Sequence, residues 1–256
     1  MIDIHSHVVW GVDDGAGSLE DSLTMLQDAS GSGTTDIVAT PHFNMQYPYQ
    51  IEVAENRIKE LAVHTGNQPR IYRGCEFLLS FENFEQLMDQ SSLYTINGTH
   101  YLLVEWPVIY PASVVDTALR RLLSAGITPV VAHPERNPML RDKFGQIEAW
   151  VELGCLMQLT ALSITGGFGA AVRVTSFRFL DQGLAHVVAS DTHDPVHRHP
   201  RLDEARKIIQ ARYSEHAAGI LFDQNPRKVL EGAPLGGKQE LGRPSMRRFW
   251  FWKARE

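Results

Sequence analysis

The sequence predicts an α/β protein, a distorted seven-stranded (β/α)7 barrel with its functional face at the C-terminal ends of the strands. Three observations carry this. Seven short β-type runs alternate with stretches long enough for helices, the pattern of parallel strands with helices outside. Six of those runs deliver a histidine or an acidic residue at their end or just beyond it, and barrels draw functional side chains from several strand ends. An open doubly wound sheet, the other topology this alternation allows, has one switch-point crevice and draws on fewer strands. Finally, 256 residues at 43% hydrophobic suit a single barrel core.

The first predicted strand, residues 2–5, opens Asp3-Ile4-His5-Ser6-His7. Residues i and i+2 of a strand face the same side, so both imidazoles can reach one cation. Asp13-Asp14-Gly15 follows; either aspartate can be the functional one, and the pair also suits a turn in which Gly15 takes a positive φ. Ser18 is a helix N-cap with Asp21 in the capping-box position, and Leu19, Leu23 and Leu26 mark the buried face. Strand two, 36–40, runs into Pro41-His42, where proline stops the strand beside the histidine. A helix over 51–64 leads to strand three, 70–76, which ends on Glu76.

Strand four, 101–105, ends Leu102-Leu103-Val104-Glu105. Glu105 therefore lies near the interior, where an unpaired carboxylate is costly. A metal offsets that cost, and Arg73 or Arg136 would do so as an ion-pair partner. A helix over 114–125 precedes strand five, 128–133, which ends on His133-Pro134. Then come a helix over 144–153, strand six over 155–160 and a helix over 168–182. The last strand, 186–190, leads into Asp191-Thr192-His193, and a helix over 202–212 follows.

His5, His7, Asp14, His42, Glu76, Glu105, His133, Asp191 and His193 are thus the candidate metal ligands. A lone His-x-His pair is more often incidental; its coexistence with histidines at other strand ends is what carries weight. Nitrogen and oxygen ligands without thiolate suit Mn, Fe or Zn, and magnesium less well. Cations sharing a carboxylate sit roughly 3.5–4 Å apart, the arrangement used for in-line displacement at phosphorus. Phosphate ester hydrolysis fits best, and amide hydrolysis by a two-metal site is the nearest rival.

Other classes are disfavoured. A formal net charge of −6 gives no reason to expect a nucleic-acid partner. Two distant cysteines, Cys75 and Cys155, do not make a disulfide framework. No signal peptide is visible and no apolar run approaches the roughly 20 residues of a membrane span, so a cytoplasmic location is expected. Cysteine-dependent phosphatases need an arginine six residues after the nucleophile; here Phe81 and Ala161 stand there. The expected domain plan is a catalytic domain over 1–235 and a tail over 236–256. That tail carries Lys238, Arg243, Arg247, Arg248, Lys253 and Arg255 around Phe249-Trp250-Phe251-Trp252. It reads as a poorly ordered terminus or as an anchor contacting an anionic membrane surface.

Asp3–His7 with Gly11-Val12-Asp13-Asp14-Gly15, Thr40-Pro41-His42, Gly74-Cys75-Glu76, Leu103-Val104-Glu105, Ala132-His133-Pro134-Glu135-Arg136 and Ala189-Ser190-Asp191-Thr192-His193 together resemble the PHP (polymerase and histidinol phosphatase) superfamily. More narrowly, they are similar to the bacterial metal-dependent protein tyrosine phosphatases of capsule and exopolysaccharide loci. The resemblance implies three divalent metal ions, often manganese. His5, His7, Glu76 and Asp191 would hold the first, bridging Glu76 with Glu105 and His133 the second, and Asp14, His42 and His193 the third. It implies that Arg136 meets the phosphate and supports the leaving phenolate. Arg198 matches a second such arginine, with Arg201 close by. Asp14, Arg136 and Arg198 are the candidate catalytic residues. The implied partner is a bacterial tyrosine kinase bearing phosphotyrosine. A small-molecule phosphatase acting on histidinol phosphate and a catalytically silent binding module are the alternatives. Phe43 stands where many members carry a second histidine, and Trp10 where proline is common. Trp10, Phe43 and Trp106 are candidates for an apolar wall against a phosphotyrosine ring, or for ordinary core packing.

Overall fold

Among the described residues nine strands form where the sequence predicts seven. The computed structural model describes residues 1–106 and 110–242. Its strands are β1 (Ile2–Ser6), β2 (Asp36–Ala39), β3 (His42–Phe43), β4 (Arg70–Arg73), β5 (Glu76–Leu78), β6 (Tyr101–Glu105), β7 (Thr128–Ala132), β8 (Leu156–Thr160) and β9 (Val187–Ala189). The difference arises where Thr40-Pro41 separates β2 from β3 and Gly74-Cys75 separates β4 from β5. Proline has no N–H to give a ladder. At Gly74 a Cβ would stand 2.8 Å from Val38 Cγ1, so the two chains approach closely only because it is glycine.

The strands form two sheets, β1-β2-β4 and β3-β5-β6-β7-β8-β9, with every neighbouring pair parallel. The expected single closed ladder of seven is therefore replaced by two parallel sheets. Their outer strands β1 and β9 meet through the isolated bridge Ser6–Thr192. Hydrogen bonds support that seam: His7 N–H donates to the Thr192 carbonyl (2.9 Å), Asp191 N–H to the His5 carbonyl (2.9 Å) and Ser190 N–H to Asp3 Oδ1 (3.0 Å).

The helices are α1 (Leu19–Gly31), α2 (Ile51–His64), α3 (Phe81–Asp89), α4 (Ala112–Ser124), α5 (Phe144–Leu153), α6 (Ala161–Thr165), α7 (Ala170–Asp181), α8 (Asp203–Arg212), α9 (Glu215–Gly219) and α10 (Asn225–Glu231). Ser18 caps α1 as its sequence signature predicts, its Oγ accepting from Asp21 N–H at 3.1 Å. The helices absent from the sequence reading, α3, α6, α9 and α10, are too short to display a helical period.

Strand side chains alternate between two cores. Leu102 and Val104 of β6 pack under helices with Leu119, Trp150 and Phe179, whereas Tyr101 and Leu103 join Ile2, Ile4, Val130 and Leu156 on the other face. Both faces are buried, as in parallel sheets generally. Residues 236–242, assigned by charge to the tail, pack against the body. Leu241 is buried, Gln239 N–H donates to the Gly183 carbonyl (2.7 Å), and His186 Nε2–H donates to the Gly237 carbonyl (2.9 Å). Phe249-Trp250-Phe251-Trp252 lies outside the described residues. Among the described residues no helix is long and apolar enough to cross a membrane.

Candidate metal centre

All nine predicted ligands come together at the strand ends. His5 on β1 and His7 just beyond it are buried, with their Nε2 atoms 3.2 Å apart. His5 Nδ1–H donates to Gln158 Oε1 on β8 (3.0 Å), and His7 Nδ1–H donates to Asp13 Oδ2 (2.7 Å). With Nδ1 of each ring occupied outward, Nε2 of each is the nitrogen turned inward. Glu76 Oε2 lies 3.3 Å from both Nε2 atoms and 3.0 Å from His42 Nδ1, and Asp191 Oδ1 lies 3.3 Å from His5 Nε2. Both oxygens are buried and neither has a hydrogen-bond partner. A buried charged oxygen left this way is destabilising. A divalent cation answers both the orphaned oxygens and the converging nitrogens, so the residues present fit a metal cluster.

Among the described residues, four groups of side chains have ligand atoms within 4.8 Å of one another: His5 with His7 and Glu76; His5 with His133 and Asp191; His42 with Glu76 and Glu105; and His7 with Asp14, His42 and His193. Every predicted ligand falls in at least one group, and the sharing of His5, His7, His42 and Glu76 makes them one cluster. His133 Nε2 is 2.9 Å from Glu76 Oε1 and 3.8 Å from Glu105 Oε1. Asp14 Oδ1 is 3.4 Å from His42 Nε2 and 3.5 Å from His193 Nε2. His133 and Asp191, just after β7 and β9, take positive φ values of 34° and 52°. Non-glycine residues rarely adopt these, and they concentrate at functional sites.

The electrostatics are those of carboxylates that need positive charge. Burial opposes ionisation of Glu76, yet neighbouring His5 and the hydrogen bond from His133 hold its carboxyl well below the usual range. Burial likewise opposes charge on His133, but Glu76 and Asp191 raise it to about 9. Burial and the charge of His7 push His193 down to about 4. Burial and neighbouring Glu76 raise Glu105. Protons and metal ions compete for the same lone pairs in such a cluster.

Two arginines stand at the rim. Asp191 Oδ2 accepts from Arg136 Nη1 and pairs with Arg198 Nη2 at 2.7 Å. The Arg136 guanidinium also lies 4.3 Å over the Phe168 ring. Arg201 instead pairs with Asp203 (3.2 Å) on the surface, so of the two neighbouring arginines Arg198 is the one at the site. Arg73 pairs with Glu55 (3.1 Å), so neither Arg73 nor Arg136 answers Glu105.

A cavity of about 290 Å³ opens over the cluster and is also lined by Asn44, Gln46, Tyr47, Arg136 and Arg198. The aromatic wall envisaged from sequence is not there. Phe43 stacks on Tyr94 in the core (5.2 Å, 10°), Trp106 packs edge-on against Trp150, and Trp10 lies under the Arg57 guanidinium. Nor does Gly15 take a positive φ; it is needed because a Cβ there would stand 2.3 Å from the His7 carbonyl oxygen. Asp13, ambiguous in the sequence, orients His7 and accepts from Gly15 N–H (2.9 Å) and His42 N–H (3.0 Å). Gln158 was missed. Its signal was a lone amide in the apolar run Leu156-Met157-Gln158-Leu159, on the one of the seven predicted strands without a candidate ligand.

An all-parallel α/β protein with a histidine–carboxylate cluster at its strand ends belongs to the class of divalent-metal-binding proteins. The chain is a member of the capsular polysaccharide synthesis family CpsB/CapC, whose model matches residues 1–231. It is 33% identical over 239 residues to the tyrosine-protein phosphatase CpsB of Streptococcus pneumoniae, covering 90% of this chain and 98% of that one. It is 31% identical over 227 residues to the tyrosine-protein phosphatase YwqE of Bacillus subtilis (87% and 89%). A solved structure, from work on YwqE of B. subtilis and CpsB of S. pneumoniae as metal-dependent tyrosine phosphatases, matches with a TM-score of 0.85 at 30% identity. That match covers 96% of this chain and 100% of the other. A dihydropyrimidinase from Brevibacillus agri matches at TM-score 0.52 and 14% identity over 95% of this chain and 73% of its own, a likeness of fold alone.

Proposed function

We propose that this chain is a metal-dependent tyrosine-protein phosphatase. Its substrate is phosphotyrosine on a bacterial tyrosine kinase that governs capsular or exopolysaccharide synthesis. The observation that carries the reading is one cavity holding both the orphaned oxygens of Glu76 and Asp191 and the guanidinium groups of Arg136 and Arg198. The names of the relatives support it.

Three divalent cations, Mn²⁺ foremost with Fe or Zn as alternatives, suit the nine side chains in the three sets that the family resemblance implies. When bound, they supply a water activated near neutral pH and neutralise charge on the phosphoryl oxygens. The rest falls to the chain. Gln158 and Asp13 hold the His5 and His7 rings with Nε2 inward. Arg136 and Arg198 offer planar forks that match phosphoryl oxygens, and Arg136 steadies the departing phenolate. Asp14, the most exposed member of the cluster at 48%, is placed to meet substrate as well as a cation.

The kinase substrate places the enzyme in the cytoplasm. The basic tail would touch an anionic membrane surface, and deleting residues 243–256 tests this while keeping the packed Leu241. Vesicle binding unchanged by that deletion would contradict this role.

Comparing turnover of a phosphotyrosine peptide with histidinol phosphate by the metal-loaded protein tests the substrate assignment. Preference for the peptide is expected. Preference for histidinol phosphate would transfer the site to small-molecule esters, and turnover of neither would leave a silent binding module.

A further inference from the structure

Among the described residues, the cavity over the cluster is lined by acids, imidazoles, amides and guanidinium groups, with a single phenyl-type ring, that of Tyr47. We propose that Tyr47 is the specificity-determining residue that packs against the aryl ring of the substrate. This deepens the phosphatase reading above and rests on it.

Position comes first. Tyr47 lies nearly parallel to the His42 ring, at 16° with centroids 6.1 Å apart. His42 in turn stands 3.0 Å from Glu76 and 3.4 Å from Asp14. The tyrosine is therefore one ring outward from the cluster. In an aryl phosphate a single oxygen joins phosphorus to the ring, so a phosphoryl group seated at the cluster carries its ring to the cavity mouth. An alkyl phosphate such as phosphoserine brings no ring there.

The loop that carries Tyr47 is set before any ligand arrives. Asn44 Oδ1 accepts from Gln46 N–H (2.9 Å) and Tyr47 N–H (2.8 Å), and Asn44 N–H donates to the Tyr47 carbonyl (3.1 Å). This is a side-chain-closed turn. Gln46 Nε2–H donates to the Tyr47 hydroxyl (3.0 Å), tethering the ring itself. A preset aromatic face reduces the ordering lost on binding, and aromatic pairs favour offset stacking or edge contacts. Trp10, Phe43 and Trp106 are engaged elsewhere, and Phe168 lies beneath the Arg136 guanidinium rather than in the lining.

The test is calorimetric binding of phenylphosphonate and methylphosphonate to the Mn²⁺-loaded protein, in wild type, Tyr47→Phe and Tyr47→Ala. Neither probe is hydrolysed, so affinity is read apart from turnover. Tyr47 is partly exposed on a loop, and both variants are expected to fold. Tyr47→Phe, which keeps the ring but loses the Gln46 tether, should retain most of the wild-type preference for the phenyl compound. Tyr47→Ala should lose about 3- to 10-fold of it. A preference unchanged in Tyr47→Ala, or lost equally in Tyr47→Phe, would overturn the assignment. Wild type binding neither phosphonate would overturn the phosphatase reading and this inference with it.

Discussion

His5 Nε2 and His7 Nε2 face each other at 3.2 Å, while the Nδ1 of each ring is tied to its own acceptor, Gln158 and Asp13. One proton placed between them can serve only one as donor and the other as acceptor. A cation can take the lone pair of both. The second strand face, the turn at Asp13 and the amide on β8 thus converge on one instruction: which nitrogen of each ring is free.

Removing that instruction at β8 should weaken metal binding without unfolding the protein. Gln158→Leu keeps the apolar packing of the buried strand and deletes the acceptor for His5. Metal affinity, measured by competition with a fluorescent chelator, should fall about 10- to 100-fold, with circular dichroism unchanged. Undiminished affinity would show that Gln158 does not orient the ligand.

Arg198 and Arg201 are separated in role by their partners. Arg198→Ala removes a guanidinium from the cavity and should lower kcat/KM on a phosphotyrosine peptide by about a hundredfold. Arg201→Ala breaks a surface pair with Asp203, an interaction of roughly 0–1 kcal/mol, and should change kcat/KM less than about twofold. Equal losses would contradict the assignment.

Stability should fall in acid through His186. Burial lowers this histidine from 6.5 to about 4, and its neutral ring accepts from Met157 N–H while donating to Gly237. A depressed folded value means the unfolded chain binds the proton more readily. The native state therefore keeps its full stability above pH 6.5 and loses it as pH falls from 6.5 toward 4, by roughly 3 kcal/mol in all. Urea titrations across that range should show a shallower acid slope for His186→Gln than for wild type. Identical slopes would remove His186 from the account of acid sensitivity.

Thiol reagents should leave activity intact. Cys75 and Cys155 are fully buried, and burial pushes the Cys155 thiol up to about 12 and the Cys75 thiol well above its usual value. The thiolate is the reactive form. Inactivation by iodoacetamide of the folded, metal-loaded protein would contradict a mechanism without cysteine.

The nine clustered side chains were legible because strand ends, prolines and imidazoles advertise themselves in one dimension. Parallel topology followed from strand–helix alternation, and α2 and α5 were placed to the residue by their apolar period. The breaks at Thr40-Pro41 and Gly74-Cys75 were harder: the Gly74 break depends on its approach to Val38, a contact between strands distant in sequence. Gln158 and Asp13 act through partners on other elements; the lone amide in an apolar run was the one local sign of Gln158, and Asp13 reads equally well as a turn residue. The aromatic wall failed because Phe43 and Trp106 satisfied the composition of a pocket but packed into the core.

The most direct measurement is hydrolysis of a phosphotyrosine peptide by chelator-stripped protein, with and without added Mn²⁺, beside a His42→Ala control. Activity that returns only with metal and is lost in the variant is expected. Turnover that persists in the stripped protein, or survives in His42→Ala at the wild-type rate, would contradict a metal-dependent phosphatase built on this cluster.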